Sequence, residues 1–221
     1  MKKLLFTSAL ALSTLSFAQI DFNNTRFGVT AAFNRSAISN AHNPSGPRYT
    51  FQAGGLALIP IGTANQFFLQ PEVLYYGAGE TGKDSDYKGK DGYDAVYANN
   101  YISVPVYFKA YFSEAPSEFF AMAGPRFNFL VNQNVKDAPK DKPYYDPNYS
   151  GSNNPNNYDG KAASFNFGIG LGIGYSLKRE WEFTIKYDLG LSNTYKGLTR
   201  EISSKSKSEQ VASVGVSYIF K

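Results

Sequence analysis

The sequence predicts an all-β chain, an eight-stranded antiparallel up-and-down transmembrane β-barrel. Three observations predict it. Period-two alternation of apolar and polar residues recurs in eight segments between residues 19 and 221. The segments run 9–13 residues, close to the roughly 9–11 that a tilted strand needs to cross a bilayer; strands of soluble proteins more often stop near 5–6 residues. The links between the segments alternate short and long, as they do in a barrel with tight turns at one rim and loops at the other.

The first segment, about 26–34, sets Phe27, Val29, Ala31 and Phe33 against Gly28, Thr30 and Asn34. The second, about 49–60, is mostly apolar and its phase is open. The third, about 67–78, puts Leu69, Val73 and Tyr75 on one face and Gln70 and Glu72 on the other. In the fourth, about 99–111, Ile102, Val104, Val106 and Phe108 alternate with Tyr101, Ser103, Tyr107 and Lys109. The fifth, about 119–131, alternates Ala121, Ala123, Phe127 and Phe129 with Gly124, Arg126 and Asn128. The sixth, about 164–176, opposes Phe165, Phe167, Ile169, Leu171, Ile173 and Tyr175 to Asn166 and the glycines at 168, 170, 172 and 174. The seventh, about 180–191, opposes Trp181, Phe183, Ile185, Tyr187 and Leu189 to Glu182, Thr184, Lys186 and Asp188. The eighth, about 209–220, opposes Ala212, Val214, Val216, Tyr218 and Phe220 to Ser213, Gly215 and Ser217. Short links are expected at 61–66, 112–118 and 177–179, and long ones at 35–48, 79–98, 132–163 and 192–208. The long links are rich in Gly, Pro, Asn and Asp, residues that favour turns.

Residues 1–18 read as a signal peptide. Lys2 and Lys3 precede an apolar stretch from Leu4 to Phe17, and Ser16-Phe17-Ala18 supplies a small-x-small cleavage pattern between Ala18 and Gln19. That stretch is shorter than the roughly 20 apolar residues of a membrane helix, which disfavours an uncleaved anchor. Cleavage leaves a single domain at 19–221, where 20 basic residues face 18 acidic ones. The net charge of +4 thereby drops to +2, and no basic recognition motif points to nucleic acid. The chain has no cysteine, so neither disulfides nor thiolate metal sites are available to it. Beyond the leader no apolar run is long enough for a membrane helix. A closed barrel is then the remaining way to span lipid, which satisfies no backbone hydrogen bonds.

The apolar faces are assigned to lipid, with Tyr75, Tyr175, Trp181, Tyr187 and Tyr218 as candidates for the interfacial girdles. The opposite faces carry Glu72, Lys109, Arg126, Glu182, Lys186 and Asp188, three acids and three bases. These charges are expected to pair inside the barrel, since an eight-stranded interior is just wide enough for side chains to fill. A plugged polar core is therefore expected rather than an open pore. A proton relay or catalytic carboxylate pair is the less favoured reading of the same cluster. The glycine run at 168–174 lacks the following helix and the Lys-Ser/Thr of a phosphate loop, and fits a crowded inner face. His42, the single histidine, offers weak support for an acyl hydrolase. Asp137, Asp141, Asp146 and Asp159 show no calcium-loop spacing. No catalytic residue, cofactor or metal is assigned.

The segments FFLQPEVLYYGAGE (67–80), NNYISVPVYFKAYF (99–112), FFAMAGPRFNFLV (119–131), FNFGIGLGIGYSL (165–177), EFTIKYDLGLSN (182–193) and VGVSYIF (214–220) resemble the PorT-like outer-membrane β-barrel domain family. The LQPE and YISVP stretches are its most specific marks. The resemblance implies an eight-stranded outer-membrane barrel of the porin-family type, exported by a signal peptide; one class within the family assists type IX secretion. It brings no catalytic residues. The terminal Phe220-Lys221 departs from the usual terminal aromatic.

The sequence thus leads to an integral protein of the bacterial outer membrane with a structural or surface-interaction role and without enzymatic activity. Its expected partners are outer-membrane lipid, the barrel assembly machinery, and secretion components or external ligands reached through loops. A secretion-accessory barrel, a small-solute porin and a soluble lipocalin-like binding barrel are the competing readings.

Overall fold

The computed structural model describes residues 20–40, 45–62, 65–82, 96–136, 162–195 and 206–221. They form one closed antiparallel barrel in which each strand pairs with its neighbours in sequence and the last pairs with the first. The strands are β1 (Arg26–Ile38), β2 (Ser45–Ile61), β3 (Phe67–Gly82), β4 (Val96–Tyr111), β5 (Glu118–Lys136), β6 (Phe165–Leu177), β7 (Trp181–Gly190) and β8 (Glu209–Ile219). Among the described residues no helix is long and apolar enough to cross a membrane.

The register fixes the shape of the cylinder. A path through paired residues runs from Thr50 to Asn34, Ser213, Lys186, Gly172, Met122, Lys109, Phe68 and Pro60. It returns to β2 ten residues beyond its start. With strands roughly 4.8 Å apart and rising roughly 3.4 Å per residue, that offset tilts them about 41° and sets a backbone radius of about 8 Å. Each residue then advances about 2.6 Å along the axis, and the 10 residues of β7 cover about 26 Å, close to the ~25 Å apolar band of a membrane barrel.

Alternation sorts the residues as the sequence predicts. Phe27, Val29 and Phe33 of β1, Ile102 and Phe108 of β4, and Trp181, Phe183, Ile185, Tyr187 and Leu189 of β7 are exposed, with buried residues between them. The open phase of β2 resolves with Tyr49 and Phe51 outside and Thr50, Gln52, Leu56 and Leu58 inside. Exposed and half-buried aromatics gather at both ends. Trp181 and Tyr218 (4.7 Å between centroids), Phe119 and Tyr175 (5.0 Å) lie near the short turns, and Phe33 stacks on Tyr49 (5.8 Å) near the other rim.

The strand limits correct the expected ones at the far rim. β1 continues past residue 34 to Ile38, β2 begins at Ser45, β3 reaches Gly82, β4 begins at Val96 and β5 reaches Lys136. The first link shrinks to residues 39–44 and is no longer than the turn at 112–117, so it is not a long loop. Residues 35–38 stay in the sheet because Ser36 and Ile38 keep the inward phase and are buried. The other links at that rim, 83–95, 137–164 and 191–208, remain much longer than the short turns. Strands β2 to β5, at 16–19 residues, stand taller than the rest of the wall.

Two register shifts mark this taller half, one in β2 and one in β5 opposite Asn100 and Tyr101. Between Pro47 and Gln52 β2 has one residue more than the facing stretch of β3. Side chains take up the backbone groups so released: Thr50 Oγ1 donates to Gly77 O (2.6 Å), Arg48 Nη1 to Ala78 O (2.5 Å), and Ser36 Oγ pairs with both N and O of Gly79 (2.9 Å each). Gly79 has φ +120°, and a Cβ on it would stand 1.9 Å from Tyr97 O, so only glycine fits.

Candidate functional site

The lumen is the candidate site. The inward phase of β3, β4, β5 and β7 delivers Glu72, Lys109, Arg126, Glu182, Lys186 and Asp188 into it, and all six are buried. They combine one to one. Lys109 Nζ lies 2.5 Å from Glu182 Oε2, Arg126 Nη1 contacts Asp188 Oδ2, and Lys186 Nζ lies 3.3 Å from Glu72 Oε2. Three pairs cancel within a cylinder of low dielectric, where a lone charge would be costly.

Neutral polar groups join the pairs into a septum. Lys109 Nζ also donates to Gln70 Oε1 (3.1 Å), and Gln70 Nε2 donates to Glu72 Oε1 (2.7 Å). Tyr111 OH donates to Glu182 Oε1, and Tyr107 OH to Asp188 Oδ1 at 3.5 Å. Arg126 Nε reaches Ser103 Oγ (2.8 Å) and Asn128 Oδ1 (3.2 Å), its Nη2 reaches Gln52 Oε1 (3.4 Å), and its guanidinium lies 4.0 Å over the Tyr76 ring. Tyr76 OH donates in turn to Glu209. The LQPE and YISVP stretches thus have a structural meaning: Gln70, Glu72, Tyr101 and Ser103 all point into the lumen.

Apolar side chains fill the remaining width. Leu58, Phe68, Tyr107, Tyr111, Phe120 and Met122 pack on the short-turn side, while Tyr76, Ala78, Tyr101 and Val211 pack on the other. The glycines of β6 admit them. A Cβ on Gly170 would lie 2.6 Å from Asp188 Oδ1 and 2.7 Å from the Tyr107 ring, and one on Gly174 would lie 2.4 Å from the Phe120 ring. The void bordered by Arg126, Asn128, Asn166, Asp188, Thr194 and Glu209 measures about 10 Å³, roughly the space of one water.

Both ends carry further polar closure. Arg179, in the β6–β7 turn with φ +56°, donates to Asn65 O (2.9 Å), Ser113 O (3.0 Å) and Ala115 O (3.3 Å), and pairs with Glu118. One guanidinium therefore ties together all three short turns, and it lies 3.8 Å over the Tyr111 ring. At the other end Asn99 Nδ2 donates to Tyr195 OH (3.0 Å), and burial, with Glu80 nearby, pushes the Tyr195 phenol up.

Several of these groups escaped the sequence reading. Tyr76 shares the phase of Gln70 and Glu72, so extending that alternation would have placed it inside. Glu209 opens β8 in phase with Ser213. Arg179 has no periodic signal, because its role depends on three turns meeting in space. Ala18 and Gln19, His42, and Asp137, Asp141, Asp146 and Asp159 lie outside the described residues. Among the described residues no group of His, Cys, Asp and Glu has the arrangement of a metal site.

Residues 17–196 match the family model described as outer membrane protein beta-barrel domain. Among solved structures, the chain is similar to Neisserial surface protein A (13% identity, TM-score 0.43, covering 89% of this chain and 97% of that one). It is also similar to a major outer membrane protein from Thermus thermophilus (13%, TM-score 0.44, 90% and 100%). A third is Ail of Yersinia pestis in complex with the heparin analogue sucrose octasulfate (10%, TM-score 0.40, 89% and 97%). No curated protein matches the sequence.

Proposed function

This chain belongs to the outer membrane protein beta-barrel domain family, and from that premise we propose that it is a non-conducting, non-enzymatic surface barrel of the bacterial outer membrane. The observation that carries the reading is the septum. Three buried ion pairs and their tyrosine and amide partners cross a lumen of about 8 Å backbone radius. Hydrated solutes have no route past Lys109, Arg126 and Lys186 unless these pairs separate. Function then falls to the surfaces at the two rims, where partners or external ligands dock.

In this reading residues 1–18 direct export and are removed, and assembly machinery inserts the barrel into lipid. The PorT-like kinship is proposed on the LQPE and YISVP segments. It adds a secretion-accessory role at the short-turn rim, where Arg179 presents three turns as one ordered surface. Recording from planar bilayers that contain the folded protein tests the central point. Silent bilayers are expected, with conductance appearing once Arg126 and Tyr107 are both cut back to alanine. Steady conductance from the unaltered chain would move the reading to a small-solute porin. Loss of type IX secretion on deletion of the gene would support the accessory role, and unimpaired secretion would end it.

A further inference from the structure

We propose that the far end of β1 and β2 docks the headgroup of a phosphate-bearing lipid, with Arg35 as its cation and Tyr49 beside it. The inference rests on the outer-membrane reading. Outward positions of β1 run Phe27, Val29, Ala31, Phe33 and then Arg35, which is exposed. Among the described residues, Arg35 is the one charged side chain at an outward position within a strand, apart from Lys136 at the last residue of β5. An arginine facing lipid costs about 2–4 kcal/mol at the midplane and about 0–1 near the interface. Two residues beyond Phe33, Arg35 stands about 5 Å further along the axis, level with the headgroups rather than the acyl chains.

Its surroundings suit a phosphate. Arg35 lies opposite Tyr49 on β2 and Ala212 on β8. Tyr49 is 60% exposed and stacks on Phe33, the placement of an interfacial ring with its hydroxyl toward water. Arg48, which precedes Tyr49 on β2, lies opposite the buried Ser36 and so has the inward phase, where it donates to Ala78 O. It borders a depression of about 410 Å³ at the β2 bulge, shared with Tyr49, Phe51, Tyr75 and Asn100. Among the described residues neither arginine has an acid within ion-pair distance. The exposed guanidinium fork of Arg35, without a carboxylate partner, matches the shape and charge of a phosphate. Tyr49, Phe51 and Tyr75 fit the adjoining apolar chains.

The test uses the full chain folded into phosphatidylcholine vesicles that carry spin-labelled phosphatidic acid or, separately, spin-labelled phosphatidylcholine. Wild type should immobilise phosphatidic acid about fivefold more strongly than phosphatidylcholine, the scale of one arginine at a charged surface. Arg35→Gln should remove most of that preference and Arg35→Lys should keep part of it, with every variant still migrating as a heat-modifiable barrel. Excess inorganic phosphate should leave the label immobilised. Equal preference in wild type and Arg35→Gln would overturn the site, and so would displacement by inorganic phosphate, which would assign it to a soluble anion. A wild-type chain that failed to enter the vesicles at all would instead bring down the outer-membrane reading on which the site depends.

Discussion

Lys109 Nζ lies 2.5 Å from Glu182 Oε2, and neither side chain is more than 1% exposed. An ion pair this deep is not strong evidence of net stability, because desolvation offsets most of its attraction. Breaking it from one side is another matter. Lys109→Met should destabilise the barrel by about 3–5 kcal/mol, since Glu182 is left charged and unpaired. The double change Lys109→Met with Glu182→Gln should recover much of that loss, because Gln still accepts from Tyr111. Urea unfolding in lipid, followed by fluorescence of the single tryptophan, Trp181, measures both.

Arg179 should matter more than a turn residue ordinarily does. Arg179→Ala removes donors from Asn65, Ser113 and Ala115 and leaves the largely buried Glu118 without its ion-pair partner. A loss of about 2–4 kcal/mol is expected, and Arg179→Lys should restore little, because one ammonium does not reproduce the planar fork. The same urea titration reads it, with limited proteolysis at the short turns as a local check.

Gly170 makes room for Tyr107 and Asp188. Gly170→Ala should cost about 1–3 kcal/mol through overpacking, and Tyr107→Leu in the same chain should reduce the penalty. A double-mutant cycle in which the two changes simply add would show that the ring and the glycine are independent.

Lipid exposure of the apolar face has a direct consequence. Ile185→Arg places a charge at a position 60% exposed in the middle of β7 and should cost about 2–4 kcal/mol. A soluble barrel with Ile185 in water would lose roughly nothing, so the size of the effect in refolding assays separates the two.

Much of this molecule was legible because a barrel wall repeats every two residues. The alternation in β4 and β7 alone placed Lys109, Glu182, Lys186 and Asp188 on the inner face, and the balance of charge suggested pairing. Which acid meets which base was not legible: Lys109 and Glu182 are 73 residues apart and meet across the lumen only because of the ten-residue stagger of the strands. The phase of β2 was obscured by its run of apolar and glycine residues from Ala53 to Pro60, where both faces look alike. The far strand ends were missed because Ser36, Glu80 and Asn132 read as loop, although cross-strand pairing holds them in the sheet.

Cell fractionation followed by gel migration with and without boiling tests directly whether the chain is a closed membrane barrel. A closed cylinder held by its lumenal pairs should appear in the outer-membrane fraction, resist carbonate extraction and run faster unboiled than boiled. Recovery in the soluble periplasmic fraction with a single mobility in both lanes would contradict the membrane barrel.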